Sequence, residues 1–407
     1  MTEDFLNFLL TVVIIIVAAK ASGYLSIRLR QPSVLGELLA GILLGPTLFD
    51  MLHWPLFAGS EHILGELITV MAELGVILLM LLAGLGLHLS ELLQSGKVAT
   101  LAGVLGVVVP LGTGWGTAWL FGIGAQEGLF IGLILAATSV SISAQTLLEM
   151  GKLQSRVGLA LLGAAVFDDI LVILGLSLAF ILVSDAAGGV ARILLTLGGM
   201  VVYLLAAIAF GLWLLPRLVS RIDRLPISQG TMAAVLVLTL LYAWAAEVIG
   251  GMAAITGAFL VGLFLARLPF SKRIEQGVST VAYGFFVPIF FVNIGLAVNL
   301  RAITGSAWIL AIVITVVAVL SKLLGSGLGA KLSGFNQRES VQVGIGMISR
   351  GEVGLIVASF ALMEQLITPA SFSIAVFVVI MATLVTPPML RAAFAGKSQP
   401  ENTTPPH

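Results

Sequence analysis

The chain has 407 residues, of which 59% are hydrophobic and only 10% are charged, and its formal net charge at pH 7 is +0. Soluble domains carry about 25% charged residues, so this composition excludes an ordinary soluble protein. Apolar stretches of about 20 residues recur along the chain and indicate a polytopic membrane protein, whose spans are expected to be helices because β-barrel alternation is absent. The chain has no Cys, which excludes disulfides and thiolate metal sites.

The first apolar segment is predicted to be a membrane span rather than a signal peptide. A signal peptide begins with a basic region and ends at a small-residue cleavage site. Here Glu3 and Asp4 precede the apolar run, and the first cation is Lys20, inside the run. We therefore interpret this segment as a retained first helix.

The hydrophobic pattern predicts about thirteen helical spans. They are expected at 5–27, 32–49, 63–89, 98–121, 126–149, 157–183, 190–216, 228–248, 252–267, 277–299, 306–330, 340–364 and 371–394. The second and ninth are short and rich in Gly, which leaves twelve spans and one re-entrant segment as the alternative. Residues 397–407 are polar and Pro-rich and are expected to be a disordered tail.

The basic residues predict the orientation of these spans. Most of the 20 Lys and Arg residues fall in loops on one side, and only Arg192 and Arg301 fall in loops on the other side. Cytoplasmic loops carry an excess of Lys and Arg. The N-terminus is therefore expected outside and the C-terminus in the cytoplasm.

The odd number of spans allows two six-helix repeats of opposite orientation. They are predicted at about 5–183 and 228–394, with a linker helix at about 190–216. Inverted repeats are a signature of secondary transporters, in which the ion site lies near the membrane midplane where broken helices meet.

Two short spans support this division into repeats. The second span reads PSVLGELLAGILLG and the ninth reads MAAITGAFLVGLFLA. Aligning Gly36 with Gly257 also aligns Gly41 with Gly262, with apolar residues matched between them.

Two further spans are predicted to be interrupted at corresponding positions of the repeats. The centre of the fifth span, residues 137–144, reads ATSVSISA, and its hydroxyl groups can cap freed backbone groups or bind a hard cation. The centre of the twelfth span reads SRGEVG and contains Arg350 and Glu352 between glycines. The alternative for both is an intact helix with a small-residue packing face.

Ionisable residues inside the predicted spans indicate a functional centre. They are Asp168, Asp169, Lys322, Arg350 and Glu352. Each costs about 2.5–3.5 kcal/mol at the membrane midplane on insertion scales, so a group of them indicates function. As alternatives, Lys322 snorkels to the interface, and Arg350 with Glu352 forms a charge network that only braces the bundle. Lys20 and Glu37 are expected at the interface.

Asp168 and Asp169 are adjacent in the segment GAAVFDDILVIL. Helical neighbours point about 100° apart, so the two carboxylates are expected to have separate roles. One is expected to pair with a buried cation, for which Lys322 is the best candidate. The other is expected to face a water-filled cavity, where a proton and a cation compete for it. Carboxylate, hydroxyl and carbonyl oxygens suit a hard alkali cation, and no His or Cys cluster suggests a transition metal.

At these segments the chain resembles the monovalent cation:proton antiporter superfamily, in particular its bacterial sodium/proton exchangers with paired aspartates. The segments, in chain order, are QPSVLGELLAGILLGP, ATSVSISA, AAVFDDIL, PIFFVNIGL, SKLLGSGLGA and SRGEVGLI. The resemblance covers nearly the whole chain. One departure is LAGLGLHL at the end of the third span, where many relatives carry a Glu and this chain has Gly86 and His88.

The resemblance implies a homodimer in the bacterial inner membrane, with residues 1–396 as one transporter unit. Each protomer is expected to contain a core bundle, about 98–183 and 306–394, and a dimerisation bundle formed by the remaining helices. The interrupted fifth and twelfth spans are expected to cross in the core.

Site residues also follow from the resemblance. Asp169 corresponds to the ion-binding and proton-binding aspartate, and Asp168 to the aspartate paired with Lys322. Thr138 and Ser139 correspond to polar residues of the broken helix. Together with both aspartates they would form the ligand shell of a transported sodium ion. Glu352 corresponds to a core carboxylate near the crossing. From the residues alone, Glu352 and Arg350 are expected to form a core charge network.

The expected function is electrogenic exchange of Na⁺ or Li⁺ for H⁺ by alternating access, without a cofactor and without a nucleic-acid partner. Potassium/proton exchange is the alternative, because these ligand types do not separate the alkali cations. From other classes, a cation channel or a non-transporting membrane sensor is kept as a hypothesis. An enzyme is not expected, because the sequence has no nucleophile–base or metal-ligand spacing.

Overall fold

The computed structural model describes residues 3–29, 31–86, 96–183, 189–297, 301, 305 and 307–395, and every regular element in them is helical. The α-helices are α1 (Glu3–Arg28), α2 (Ser33–Leu44), α3 (Glu61–Leu85), α4 (Gly96–Leu120), α5 (Ala125–Ala136), α6 (Val140–Glu149), α7 (Arg156–Val183), α8 (Gly189–Trp213), α9 (Leu215–Ile222), α10 (Gly230–Val248), α11 (Ala254–Leu265), α12 (Ser271–Val281), α13 (Val287–Leu296), α14 (Ala307–Leu332), α15 (Gln337–Gly346), α16 (Glu352–Met363) and α17 (Pro369–Phe394). His88 and the predicted tail 397–407 lie outside the described residues.

The helices confirm a polytopic membrane protein. Among the described residues, nine helical segments are long and apolar enough to cross a membrane, and a tenth is formed if the pair Leu197–Trp213 and Leu215–Ile222, bent by 42°, is one span. Shorter apolar helices, Ser33–Leu44, Ala254–Leu265 and Val353–Leu362, lie within the remaining predicted spans. The exact number of thirteen spans stays a prediction.

The first of the two aligned glycine pairs makes equivalent contacts in both repeats. Gly36 in α2 packs so closely on α1 that an added Cβ would overlap the carbonyl oxygen of Ser22. Gly257 in α11 packs in the same way on α10, where its Cβ would overlap the carbonyl oxygen of Tyr242. The second helix of each repeat is therefore held against the first helix by backbone contact that only Gly permits.

The second glycine pair links the repeats to each other. A Cβ on Gly41 in α2 would overlap the carbonyl oxygen of Val292 in α13, and a Cβ on Gly262 in α11 would overlap that of Leu81 in α3. Each short helix thus packs against the third span of the opposite repeat. This reciprocal packing agrees with the inverted repeats predicted from the sequence, whose opposite orientation stays a prediction.

The described helices pack in two groups. We call α4, α5, α6, α7, α14, α15, α16 and α17 the core group, and α1, α2, α3, α10, α11, α12 and α13 the scaffold group. The groups meet along a seam where α6 contacts α2 and α3, and where α17 contacts α2. Helix α8 contacts α7 on one side and α10 and α11 on the other. Separate movement of the groups and a role of the scaffold group in dimerisation stay predictions.

Substitution of Gly41 by Ala is expected to destabilise the protein by about 1–3 kcal/mol, because the added methyl group overpacks a backbone contact between repeats. The measurement is the apparent melting temperature in detergent. Gly112→Ala is the matched control, since nothing lies within 4 Å of its added Cβ in α4 and Ala favours helix by up to about 1 kcal/mol. Equal melting temperatures for the two variants would contradict the interlocking role of Gly41.

Candidate ion-binding site

Both predicted helix interruptions are present in the structure. Helix α5 ends at Ala136 and α6 begins at Val140, with Ala137 and Ser139 in extended conformations between them. In the other repeat, α15 ends at Gly346 and α16 begins only at Glu352. The interruptions coincide with the segments of hydroxylated and glycine residues that the sequence marks as poor helix formers.

The two interruptions cross and hydrogen-bond to each other. The backbone N–H of Ser139 donates to the carbonyl oxygen of Ser349 at 2.9 Å, and the Ser349 hydroxyl donates to the carbonyl oxygen of Ser139 at 2.6 Å. The Ser143 hydroxyl donates to the carbonyl oxygen of Gly346 at 2.5 Å. These bonds satisfy backbone groups that a broken helix would otherwise leave without partners inside a membrane.

Arg350 stabilises the second interruption from within. Its side chain is fully buried. Nη1 donates to the carbonyl oxygen of Ile348 at 2.6 Å and Nη2 to that of Ala318 in α14 at 3.0 Å. The hydrogen bonds of Arg350 thus go to backbone carbonyls, and its charge also interacts with that of Asp168. The core charge network stays a prediction. The side chain of Glu352 lies outside the part of the structure that is described.

Asp168 of α7 and Lys322 of α14 form a buried ion pair. Lys322 Nζ donates to Asp168 Oδ1 at 2.7 Å, and both side chains are 0% exposed. The structure thus brings together the aspartate and the lysine named in the sequence, and Lys322 does not snorkel to the interface. Burying both charges costs several kcal/mol per ion, which only close pairing and further hydrogen bonds offset.

The Asp168 carboxyl group keeps one oxygen available. Asp168 Oδ2 and the hydroxyl oxygen of Thr138 are buried, and the Thr138 side chain lies beside the Asp168 carboxyl group and interacts with it. Buried oxygens are costly unless they are hydrogen-bonded or bind something else. These two oxygens therefore have the chemistry of cation ligands.

Asp169 lies at the seam between the two helix groups. It is 6% exposed and lines a cavity of about 20 Å³, which has room for about one water molecule. The cavity is bounded by α6 and α7 of the core group and by α3 and α11 of the scaffold group through Met80, Val140 and Thr256. The adjacent aspartates thus occupy different environments, one inside the core group and one at its surface.

Ser139 belongs to the crossing rather than to the ion pair. Its hydroxyl oxygen lies 2.8 Å from that of Ser141, and both residues are buried. Its backbone N–H bonds to the opposite interruption, as described above. A Cβ on Gly351 would lie 2.5 Å from the Ser139 hydroxyl oxygen, so this Gly permits the close approach of the two segments.

Several polar residues near the site were not selected from the sequence. Thr256 lines the Asp169 cavity, and its only sequence signal is a hydroxyl group in a short apolar span. Glu37, expected at the interface, is 6% exposed in α2. Lys20 Nζ lies 3.7 Å from Glu37 Oε1, and the Lys20 side chain is half-exposed.

Glu37 belongs to a second, larger cavity. This cavity has a volume of about 470 Å³ and also contains Glu149 and Glu275 in its lining. Lys20 is the cation among its lining residues. We call it the acidic cavity.

Two crossing broken helices beside buried carboxylates define the class of secondary ion transporters. Residues 11–396 match the family model described as sodium/hydrogen exchanger, transmembrane, and the chain belongs to this family of transporters.

Similar proteins include the Na(+)/H(+)-K(+) antiporter GerN of Bacillus cereus, which is 37% identical over 393 residues covering 97% of this chain and 98% of GerN. The Na(+)/H(+) antiporter of Enterococcus hirae is 33% identical over 386 residues, covering 95% of this chain and 98% of that protein. The solved structure of the sodium proton antiporter MjNhaP1 from Methanocaldococcus jannaschii has the same fold, with a TM-score of 0.68, 17% identity and coverage of 97% and 98% of the two chains.

Lys322→Ala is expected to destabilise the protein by about 3–5 kcal/mol, because it leaves the Asp168 carboxylate buried without its cation. The double variant Asp168→Asn/Lys322→Met removes both charges and is expected to recover most of this loss. Thermal unfolding of the purified protein measures both effects. Lys331→Ala, at the exposed end of the same helix, is the control. Equal melting temperatures for Lys322→Ala and Lys331→Ala would contradict the stabilising role of the ion pair.

Proposed function

We propose that the protein exchanges Na⁺ or Li⁺ for H⁺ by alternating access, with Asp169 as the group that binds the cation and the proton in turn. The observation that carries the proposal is the position of Asp169 in a cavity at the seam between the helix groups. A carboxylate there becomes accessible from either side of the membrane when one group moves against the other. Membership of the sodium/hydrogen exchanger family supports the same function.

The coupling follows from exclusive occupancy of one carboxylate. A hard alkali cation is bound by the ionised Asp169 carboxylate together with oxygens of Asp168, Thr138 and Ser139. A proton on Asp169 removes the negative charge that the cation needs, and a bound cation displaces the proton. If the core group moves only when Asp169 is occupied, each cation carried in one direction is followed by proton transport in the other direction.

The Asp168–Lys322 pair adds a second proton to the cycle. When the cation binds, Asp168 becomes one of its ligands and the released Lys322 gives up a proton. When the cation leaves, Lys322 takes up a proton and pairs with Asp168 again, while Asp169 takes up the other proton. Two protons then move for each cation, and one net positive charge crosses the membrane in every cycle.

The proposed setting is the bacterial inner membrane, with a homodimer as the assembly, the N-terminus outside and the C-terminus in the cytoplasm. The asymmetry of Lys and Arg between the loops supports the orientation. The ligands are Na⁺ or Li⁺, protons and lipid, and the cycle uses no cofactor.

Potassium/proton exchange is the second candidate. Its support is the similarity to GerN, a Na(+)/H(+)-K(+) antiporter that is 37% identical over 393 residues. Oxygen ligands of these types bind both alkali cations, so the two candidates share one site. A channel is disfavoured because the cavity beside Asp169, about 20 Å³ in volume, has room for about one water molecule.

Asp169→Asn is expected to abolish sodium-evoked proton flux, because the amide cannot alternate between a charged and a protonated form. The measurement is dequenching of a pH dye in everted membrane vesicles after additions of Na⁺, Li⁺ and K⁺ at fixed pH. Asp50→Asn is the control, since Asp50 has a left-handed backbone conformation (φ 48°) that Asn also adopts readily. Exchange that survives Asp169→Asn would contradict the proposal, and the cation series separates sodium from potassium exchange.

An imposed membrane potential is expected to change the exchange rate in proteoliposomes, because the proposed cycle carries one net charge. The potential is set with a potassium gradient and valinomycin, and proton flux is followed with a trapped dye. A rate that is independent of the potential, in protein that exchanges actively, would show that Lys322 is a structural brace and carries no proton.

A further inference from the structure

A carboxylate of the core group is bonded to the first residue of a scaffold helix. Glu149, the last residue of α6, accepts a hydrogen bond from the backbone N–H of Ser33 through Oε2 at 2.8 Å. Its Oε1 accepts a hydrogen bond from the Ser33 hydroxyl at 2.5 Å. The same Oε1 also accepts from Gln145 Nε2 at 2.9 Å, one helical turn earlier, which fixes the orientation of the carboxylate.

A second polar contact joins the groups close to the first. Gln154, in the loop between α6 and α7, donates through Nε2 to the carbonyl oxygen of Gly86 at the end of α3, at 2.8 Å. Leu153 beside it is 3% exposed and lies against Gly86. The end of α6 and the following loop are therefore attached to both α2 and α3.

The Ser33–Glu149 contact lies at the boundary of two cavities. Both residues line the acidic cavity, about 470 Å³ in volume. Both also line a neighbouring cavity of about 600 Å³, in which Lys152 and Arg391 lie. Glu149 is exposed to these cavities, so water can replace Ser33 as its partner and the contact is reversible.

The contact is connected to the ion site through one short helix. Helix α6 runs from Val140, which lines the Asp169 cavity, to Glu149. Ten residues of α-helix span about 15 Å. Displacement of α6 at the broken-helix crossing is therefore transmitted to the carboxylate at its other end.

We propose that Glu149 is a gating residue, whose bonds to Ser33 latch the core group to the scaffold group in this conformation and open whenever the core group moves. The inference rests on the proposed alternating-access exchange. Hydrogen bonds weaken steeply beyond about 3.2 Å, so even a small displacement of α6 along α2 breaks both bonds. Glu149 positions the core group and does not bind the transported cation at the Asp169 site.

The Ser33–Glu149 contact has no counterpart at the aligned position of the second repeat. In the alignment of the two short spans that pairs Gly36 with Gly257, Ala254 stands at the position of Ser33. Ala254 has no hydroxyl group to donate to a carboxylate at the equivalent end of α11. The Ser33–Glu149 contact therefore favours one of the two conformations of the cycle over the other.

The test measures the conformational equilibrium directly in the full chain. The chain has no Cys, so the substitutions Lys152→Cys and Gln276→Cys place two spin labels at exposed positions of the core group and the scaffold group. Electron–electron double resonance in lipid nanodiscs gives the distribution of label distances. Glu149→Gln and Ser33→Ala are expected to shift the population from the conformation seen in the structure to the one reached after the core group has moved. For Glu149→Gln the ratio of the two populations is expected to change by roughly tenfold, because a charge-assisted hydrogen bond is lost.

Glu275→Gln is the matched control, because it removes the same charge from the same acidic cavity without touching Ser33. The proposal is overturned if Glu149→Gln and Ser33→Ala give the distance distribution of Glu275→Gln. Ser33→Ala keeps all charges, so it separates the latch from a general electrostatic effect. Absence of sodium-evoked proton flux in the unsubstituted protein would instead overturn the proposed function. The label distances are measured independently of that flux, so the two failures can be told apart.

Discussion

The site depends on the requirement that a backbone inside a membrane must satisfy its own hydrogen bonds. Two helices that break in the buried core of such a protein leave N–H and carbonyl groups that need other partners. In this protein the breaks bond to each other through Ser139 and Ser349, and Arg350 donates to the carbonyl oxygen of Ile348. The crossing is therefore a structural necessity once both helices are broken, and it fixes the position of Thr138 beside Asp168.

Two adjacent aspartates acquire different chemistry because α7 lies at the surface of the core group. One face of the helix points inwards to α14, where Asp168 pairs with Lys322. The next residue along the helix points to the seam, where Asp169 lines a cavity shared by both helix groups. A buried ion pair and a carboxylate at the seam are thus placed side by side by the geometry of a single helix turn.

Long apolar spans, both helix breaks and the identities of Asp168, Asp169 and Lys322 were predictable from the sequence, because each leaves a local pattern or a charge that is costly in lipid. Contacts that depend on packing between helices distant in the chain could not be predicted from the sequence. Lys20 and Glu37 were expected at the interface, but their approach to each other across α1 and α2 had no sign in the sequence. The hydrogen-bond partners of Arg350 in the described structure are backbone carbonyls, which have no signature in the sequence.

The reciprocal glycine contacts of the two short helices have a consequence for how the chain is assembled. Helix α2 needs α13, which is made more than 200 residues later, and α11 needs α3 from the first repeat. The first repeat therefore enters the membrane with the Gly41 face of α2 lacking its partner. Insertion of the second repeat supplies the missing helix, so the scaffold group is completed only when synthesis of the protein is well advanced.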